Sequence, residues 1–399
     1  MPIAAYRRFC QARRTEGRWR EMRSTGQSQD GRIALNGRTL LNFSSNNYMG
    51  LAGHPALVQR SVEWTERWGV GATASRLVCG NLALFEPIEE RLIQGKGSEA
   101  ALVFNSGFQT NSAVLAALLD RTVLGADPLV FSDRLNHASL HHGFRAAGVR
   151  QIRYRHNDLN HLEQLLKRYA THPGPRFIVS ETVFSMDGDC ADVAGLIALK
   201  ARYGAFLYLD EAHATGVLGP DGFGLAAAHP DQVDLVMGTF SKGLGGFGAY
   251  VACSQVLKAY LVNQCAGFIY TTALPPAVLG AMEAALELLP TLGEARERLQ
   301  KNSAMVRRTW QAAGLDTGLS TTQIIPLLLK TDAEAMEMSH RLEEAGILAV
   351  AIRPPTVPPD QSRIRFSVTA LHDEADLRHL VETVIRLCQT GFRDDEQYD

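Results

Sequence analysis

The sequence predicts an α/β protein with a large, mainly parallel sheet flanked by helices, followed by a smaller C-terminal α/β domain. From about residue 52 onward, short apolar runs alternate with stretches of helical periodicity, a pattern typical of strands joined by crossover helices. Towards the end of the chain, two long helical stretches precede three short strands, which indicates a separate, smaller unit. With 399 residues, 46% of them hydrophobic, the chain is long enough for two or more packed domains.

The N-terminal segment, residues 1–50, is predicted to contain a helix over residues 4–24 and a short strand over residues 38–43. Arginines are densest between Arg7 and Arg23. We interpret this stretch as a solvated amphipathic helix rather than as a polyanion site.

Residues 51–288 are predicted to form the large domain, in which short apolar runs are bounded by turn residues. The predicted strands cover residues 100–104, 129–132, 176–180, 205–210, 235–238 and 249–253. The predicted helices cover residues 86–94, 111–119, 159–169, 193–203 and 276–289. This alternation favours a mainly parallel sheet.

Residues 289–399 are predicted to form the smaller domain. Its predicted helices cover residues 292–313, 333–345 and 374–387, and its predicted strands cover residues 322–329, 348–351 and 363–367. The tail from Gly391 is polar, and we expect it to be disordered.

Composition and charge exclude several classes of protein. The formal net charge is −2 and the sequence pI is about 6.6, so we expect no nucleic-acid partner. The six cysteines show no CxxC spacing, and we expect reduced thiols and no metal site. No apolar run reaches the roughly 18 residues of a membrane span. Because the N-terminus also lacks the apolar core of a secretory signal, we expect a cytoplasmic protein.

The segment from Gly238 to Gly248 places Lys242 between two hydroxyl side chains and a glycine cluster, directly after a predicted strand. Thr239 and Ser241 can donate to a phosphate, and glycines allow the backbone to approach a ligand closely. A lysine held in such a pocket can lose its proton and attack a carbonyl group. Taken alone, the segment fits a surface lysine in a flexible loop better.

A second candidate segment follows the predicted strand 205–210 and contains Asp210 and His213. A carboxylate at the carboxyl end of a strand can pair with a protonated pyridine nitrogen, and the histidine can hydrogen-bond a phenolate oxygen. An N-cap aspartate with a structural histidine fits this segment equally well.

Three further polar clusters also follow predicted strands. Ser106, Gly107 and Phe108 begin a helix, where backbone N–H groups form a natural phosphate site, although an ordinary capped helix start fits this turn alone somewhat better. His137 can stack on an aromatic cofactor, and a solvated loop histidine is the alternative. Ser185 lies in the segment 181–189, which by itself is an ordinary polar loop.

Together, the five clusters are stronger evidence for a ligand site than any one of them alone. All of them follow strand ends in order along one predicted sheet. The carboxyl ends of parallel strands meet at one rim, where a single ligand can be held from several sides. The sequence therefore predicts one ligand site at this rim.

The order of the motifs SGFQTN, DRLNHASL, ETVFSMDGD, LDEAHATG and TFSKGLGG resembles the α-oxoamine synthase family of fold-type-I enzymes, which use pyridoxal 5′-phosphate (PLP). The resemblance extends from about residue 40 to residue 385. It implies the fold-type-I architecture and a PLP cofactor bound as a Schiff base to Lys242. An aminotransferase, aldolase or decarboxylase of the same fold is a more distant alternative.

The resemblance also implies where the cofactor is held. Lys242, His137 and Asp210 would be the catalytic residues, with Asp210 paired to the pyridine nitrogen and His137 stacked on the ring. The remaining residues expected at the cofactor are Ser106, Gly107, Phe108, Ser185, Ala212, His213, Thr239 and, reaching a phosphate in the partner subunit of a homodimer, Thr272.

On the substrate side, the resemblance implies that Arg365 binds the amino-acid carboxylate and that Asn46 lies near the same site. Arg20 and Thr356 match substrate-binding positions in one branch of the family. That branch condenses L-alanine with pimeloyl-CoA to give 8-amino-7-oxononanoate, CoA and CO2 in biotin biosynthesis. The stretches LNFSSNNYMGLAGHP, SRLVCGN and IRPPTVP resemble it most closely.

Two alternatives within the fold stay open at this point. One is another α-oxoamine synthase, such as glycine C-acetyltransferase or a synthase of longer 2-amino ketones. The other is a non-catalytic partner subunit of a heterodimer, which the joint presence of Lys242, Asp210 and His213 disfavours. The acyl donor, CoA or an acyl carrier protein, is also open.

Overall fold

The computed structural model describes residues 2–391 of the chain. It begins with helix α1 (Pro2–Thr15), so the helix predicted over residues 4–24 is wrong in its second half. Gly17 adopts a left-handed φ of 63°, which ends the helical path, and residues 18–24 are not helical. The predicted disorder beyond Gly391 concerns residues 392–399, which lie outside the described part.

Three strands follow α1 and form one small sheet: β1 (Thr25–Gln29), β2 (Arg32–Leu35) and β3 (Arg38–Asn42). They pair antiparallel in that order. The sequence predicted only β3. The other two are short and largely exposed or half-buried, so they lack the continuous apolar run that reveals a buried strand.

A seven-stranded sheet forms the centre of the molecule. Its strands are β4 (Ala100–Phe104), β5 (Leu129–Asp133), β6 (Gln151–Tyr154), β7 (Arg176–Glu181), β8 (Ala205–Asp210), β9 (Leu235–Thr239) and β10 (Ala249–Cys253). Their spatial order is β4-β10-β9-β8-β7-β5-β6, and only β10 runs antiparallel to its neighbours. The prediction of a mainly parallel sheet is confirmed.

Helices cover this sheet, and its central strands β8, β9 and β10 are buried on both faces. The helices are α2 (Pro55–Trp68), α3 (Phe85–Lys96), α4 (Gly107–Leu118), α5 (Arg121–Leu124), α6 (Ala138–Ala146), α7 (Leu159–Arg168), α8 (Val193–Tyr203), α9 (Gln255–Gln264), α10 (Ala266–Ile269) and α11 (Pro276–Leu288). Helices α2, α6 and α9 and the edge strand β6 are not among the predicted elements.

The C-terminal part packs three helices with short strands. These elements are α12 (Gly293–Ala312), β11 (Ile324–Leu328), α13 (Asp332–Glu344), β12 (Ile347–Leu348), β13 (Val350–Ile352), β14 (Arg363–Ser367) and α14 (Glu374–Gln389). Strands β11, β14 and β13 form an antiparallel sheet, while β12 joins β3 in the N-terminal sheet. The domain boundaries after residues 50 and 288 stay a prediction.

The arrangement of strands determines where the site lies. Strands β4, β5, β7, β8 and β9 are parallel to one another, so the loops after them emerge at one rim. In the described part of the chain, no helix has the length and apolar character needed to span a membrane. The cytoplasmic location stays a prediction.

Candidate active site

Lys242 lies at the rim, in the loop after β9, and its amine is 2.7 Å from Nε2 of the buried His213. Burial lowers the pKa of Lys242 to about 8 and outweighs the opposing effect of the Asp210 and Glu181 carboxylates. Burial and the nearby lysine also lower the pKa of His213 well below its usual value. The amine therefore faces a neutral imidazole and loses its proton more easily than an exposed lysine.

His213 connects this amine to Arg365 through Tyr48. The Tyr48 hydroxyl lies 2.7 Å from His213 Nδ1, donates to Asn46 Oδ1 at 3.0 Å and accepts from Arg365 Nη2 at 3.1 Å. His213 therefore contacts Lys242 through one ring nitrogen and Tyr48 through the other, and Tyr48 in turn contacts Arg365.

Arg365 is a buried guanidinium without an acidic partner among the described residues. Its donors reach neutral acceptors: the Ser185 carbonyl at 2.5 Å, the Ser367 hydroxyl at 2.9 Å and Asn46 Oδ1 at 3.2 Å. By contrast, Arg363 on the same strand pairs with Asp187 at 2.6 Å. Because a buried charge is costly unless it is compensated, Arg365 is prepared to bind an anion.

Asp210, at the end of β8, is buried and also lacks a cationic partner within the part of the chain that is described. One carboxylate oxygen accepts from Asn111 Nδ2 at 2.7 Å, and the other accepts from the backbone N–H of Ala212 at 2.9 Å. Tyr208 donates to Asn111 Oδ1 at 2.6 Å, which orients the amide so that its NH2 group faces the carboxylate.

His137 stands exposed at the mouth of the site, four residues after β5. Its backbone N–H donates to the buried Glu181 at 2.5 Å, and its Nδ1 lies 2.7 Å from the Ser139 hydroxyl. Neighbouring protein atoms displace enough water to lower the pKa of His137. Burial, together with the charge of Asp210, raises the pKa of Glu181 well above its usual value.

The turn after β4 and the end of β9 form a small cradle. Ser106 caps α4 by accepting from the N–H of Gln109 at 3.4 Å, which leaves the N–H groups of Gly107 and Phe108 without intrahelical partners. A β-carbon built on Gly107 would lie 3.9 Å from Thr239 Oγ1. Backbone N–H groups at a helix N-terminus suit a phosphate. The nearby Thr239 hydroxyl donates to the Gly248 carbonyl at 2.8 Å and lies 2.8 Å from the Ser241 hydroxyl, so both hydroxyls border the cradle.

Three of the predicted residues, Arg20, Thr356 and Thr272, lie outside this network of hydrogen bonds. Arg20 Nη2 contacts Thr356 Oγ1 at 3.4 Å, and both line a cavity of about 530 Å³ between the N-terminal segment and the loop after β13. Neither residue hydrogen-bonds Lys242 or Arg365. Thr272 is exposed, and its backbone carbonyl accepts from Asn105 at 2.7 Å, beside the cradle.

Four residues at the site have no role among the sequence-based expectations: Tyr48, Asn111, Ser139 and Glu181. Asn111 carried a usable signal, because an amide on an apolar helix face needs a buried partner. Tyr48 carried none, since only the fold brings it to His213, 165 residues away.

Comparison with known proteins identifies the family. The model of the family described as aminotransferase class I and II matches residues 38–384. The chain belongs to that family. Within it, an 8-amino-7-oxononanoate synthase of Gluconacetobacter diazotrophicus is 55% identical over 354 residues, which cover 88% of this chain and 89% of that protein. A Magnetococcus marinus protein, provisionally given the same name, is 63% identical over 96% of this chain and 98% of its own length.

Solved structures place this class I and II aminotransferase family member among fold-type-I enzymes. A Sphingomonas wittichii serine palmitoyltransferase has a TM-score of 0.88 at 27% identity, over 98% of this chain and 97% of that chain. The 8-amino-7-oxononanoate synthase of Francisella tularensis has a TM-score of 0.74 at 25% identity, over 88% and 98%. The chain is a PLP-dependent acyltransferase of the α-oxoamine synthase type.

The residues at the rim fit each part of PLP. The uncompensated carboxylate of Asp210 matches a protonated ring nitrogen, and the cradle of Gly107, Phe108 and Thr239 matches the phosphate. The Lys242 amine, with its lowered pKa, matches the aldehyde carbon. Among the described residues, no group of three His, Cys, Asp or Glu side chains is arranged to hold a metal ion.

Proposed function

We propose that the protein condenses L-alanine with pimeloyl-CoA and releases 8-amino-7-oxononanoate, CoA and CO2. The observation that carries the proposal is the single chain of contacts from the Lys242 amine through His213 and Tyr48 to the anion-binding Arg365. It joins a proton-accepting amine to a site for the carboxylate of an amino acid. The identity to oxononanoate synthases supports the choice of substrates.

The residues have distinct roles in this proposal. PLP, when bound, supplies an electron sink for negative charge at the substrate's α-carbon. The Asp210 carboxylate keeps the ring nitrogen protonated, and Arg365 holds the amino-acid carboxylate so that the α-proton faces Lys242. Lys242 removes that proton, since a pKa of about 8 leaves roughly a tenth of the amine neutral at pH 7, far more than for an exposed lysine.

The acyl group is proposed to enter from the cavity that contains Arg20 and Thr356. A pimeloyl chain ends in a second carboxylate, and Arg20 offers a guanidinium that has no acidic partner in the described residues. His137, exposed at the mouth of the site, would donate a hydrogen bond to the reacting carbonyl oxygen of the thioester.

We further propose a homodimer in which Thr272 contributes to the partner's phosphate site. The segment 267–272 packs against the start of α4, where Gln109 donates to the Gly267 carbonyl at 2.8 Å. Phe108 and Tyr270, on this same surface, are 50% and 83% exposed. Large apolar side chains beside a site favour coverage by another chain.

A second candidate, a synthase of longer 2-amino ketones, is favoured by one observation: serine palmitoyltransferase structures have higher TM-scores than the oxononanoate synthase structure. The two functions differ in both substrates. A long-chain synthase would accept palmitoyl-CoA and serine, whereas the proposed function requires a short acyl chain with a terminal carboxylate.

The test is an assay of free thiol release by the purified protein with PLP. L-Alanine, glycine and serine are each combined with pimeloyl-, acetyl- and palmitoyl-CoA. We expect the highest kcat/KM for L-alanine with pimeloyl-CoA, and mass spectrometry should detect 8-amino-7-oxononanoate. Faster turnover with palmitoyl-CoA or acetyl-CoA would overturn the substrate assignment, and no CoA release with any pair would overturn the reaction.

A further inference from the structure

A continuous line of hydrogen bonds runs behind the site from Asp210 to His137. Asn111 Nδ2 donates to Asp210 Oδ2 at 2.7 Å and to Ser139 Oγ at 2.9 Å. Ser139 Oγ in turn lies 2.7 Å from His137 Nδ1. Asn111 and Ser139 are each 1% exposed, so no water competes for these contacts.

The direction of every bond in this line follows from chemistry. The Asn111 oxygen accepts from Tyr208, so the nitrogen must be the atom that donates to Asp210 and Ser139. The Ser139 hydroxyl accepts from Asn111 and therefore has its proton free for His137 Nδ1. The backbone N–H of Ser139, which can only donate, also reaches that Nδ1 at 3.3 Å.

His137 Nδ1 therefore accepts two hydrogen bonds, one from the Ser139 hydroxyl and one from the Ser139 backbone N–H. A neutral imidazole with an accepting Nδ1 has its proton on Nε2. No partner for Nε2 is recorded among residues 2–391, and the ring is exposed at the mouth of the site. Nε2–H is thus a free donor directed away from the buried line.

We propose that Ser139 and Asn111 are positioning residues, which hold His137 in the Nε2–H tautomer and connect this donor to the Asp210 carboxylate. The inference deepens the proposed function and rests on it for the use of the donor, which would bind the oxygen of the thioester carbonyl during condensation. The fixed tautomer itself is a property of the folded chain alone. The arrangement consists of hydrogen bonds only, and no covalent bond forms or breaks in it.

The tautomer is measured by 15N NMR of full-length, cofactor-free protein labelled at its histidines, and the His137→Gln variant assigns the His137 signals. At neutral pH we expect an unprotonated Nδ1 and a protonated Nε2 in the wild-type protein. The Ser139→Ala variant should show a measurable population of the opposite tautomer, and Ser139→Thr, which keeps the hydroxyl, should restore the wild-type signal.

Kinetics of the PLP-loaded enzyme form the second readout. In Ser139→Ala we expect kcat to fall by about tenfold to a hundredfold with the KM for L-alanine unchanged, because a positioned donor acts mainly in the transition state. Ser139→Thr should recover most of the loss. The matched control is Ser132→Ala, which removes another buried hydroxyl near the same loop, one that contacts Asn136.

The outcomes separate this inference from the proposed function. A protonated Nδ1 in the wild-type protein, or equal loss of kcat in Ser139→Ala and Ser132→Ala, would overturn the inference. A wild-type enzyme that releases no CoA with any substrate pair would overturn the proposed function. In that case the NMR comparison of wild type, Ser139→Ala and Ser139→Thr still decides the assignment of the tautomer.

Discussion

At the scale of residues, the site is defined by buried charged side chains that have no partner of opposite charge among the described residues. Asp210 and Arg365 are each bound only by neutral groups within the described chain, although other buried charges, such as Lys96 and Glu211, form a direct pair at 2.5 Å. Leaving a charge uncompensated costs stability, and such costs concentrate at functional sites. Asp210 and Arg365 therefore indicate which groups a ligand completes.

Arg365 provides the residue-scale prediction. Substituting Arg365→Lys retains a positive charge but removes the planar fork that binds a carboxylate through two hydrogen bonds. We expect the KM for L-alanine to rise by about tenfold to a hundredfold, as roughly 1.5–3 kcal/mol of charge-assisted hydrogen bonding is lost. Steady-state kinetics at saturating pimeloyl-CoA measure this.

Arg363→Lys is the matched control, because Arg363 lies on the same strand and pairs with Asp187 instead. It should leave the KM for L-alanine close to the wild-type value. An unchanged KM in Arg365→Lys, or an equal rise in both variants, would exclude carboxylate binding by Arg365.

Much of the site could be predicted from motifs, since Lys242, Asp210, His213 and His137 follow strand ends in recognisable segments. The side chains that connect them could not. Asn111, Ser139 and Tyr48 act through partners far away in the sequence, and which polar group meets which depends on packing rather than on spacing.

At the scale of elements, His156 links three strand ends of the large sheet. It follows β6 and hydrogen-bonds Asp133, the last residue of β5, at 3.0 Å and Asp189, in the loop after β7, at 2.8 Å. Its ring also meets Phe184 edge-on, with the centroids 4.4 Å apart. The two loops that His156 joins contain His137 and Ser185. This histidine therefore stabilises the arrangement of these loops at one side of the site.

The charge of His156 gives a prediction about pH. Burial alone would lower the pKa of His156, but the hydrogen bonds and charges of the two carboxylates outweigh it and raise the pKa to about 10. An unfolded histidine has a pKa of about 6.5. Its contribution to the free energy of unfolding is therefore full below about pH 6.5 and is lost as the pH rises towards 10.

Urea denaturation at several pH values compares the wild-type protein with His156→Gln. The difference in the free energy of unfolding between the two should shrink steadily from about pH 6.5 to about pH 10. His340→Gln serves as the control, because the side chain of His340 is 70% exposed. A difference that is independent of pH would show that His156 is not charged in the folded protein.

The sequence predicted buried strands better than the other elements. β4, β8 and β10 have the predicted bounds because a continuous apolar run between turn residues identifies them. The antiparallel direction of β10 was missed, although the segment 240–248 is too short for a crossover connection. The edge strand β6 is partly exposed and lacks the apolar run.

At the scale of the whole molecule, the core explains how distant segments meet at one rim. A single hydrophobic cluster contains Phe43 from the N-terminal part, Tyr250 from the large sheet and Phe366 from the C-terminal sheet. Packing in this cluster brings Tyr48 and Arg365 to the site of Lys242. Lys242 itself lies in a loop of a different sheet. No local pattern in the sequence predicts that these residues come together, because their proximity depends on how entire layers of the fold pack.

The proposed homodimer gives a prediction at this scale. Light scattering coupled to size-exclusion chromatography should give a mass of about twice the 43.6 kDa of one chain. Tyr270→Asp places a charge on an 83% exposed aromatic position beside Thr272, and it should yield monomers that retain less PLP. Leu319→Asp, at a 74% exposed position in the C-terminal part, should remain dimeric. A monomeric wild-type protein with full PLP content would contradict the shared site.

The position of the cofactor is tested most directly by mass spectrometry. The PLP-loaded protein is reduced with borohydride, digested, and searched for the lysine that carries a phosphopyridoxyl group. We expect Lys242 to carry it and the Lys242→Ala variant to carry none. Labelling of any other lysine in the wild-type protein, with Lys242 unmodified, would contradict this expectation.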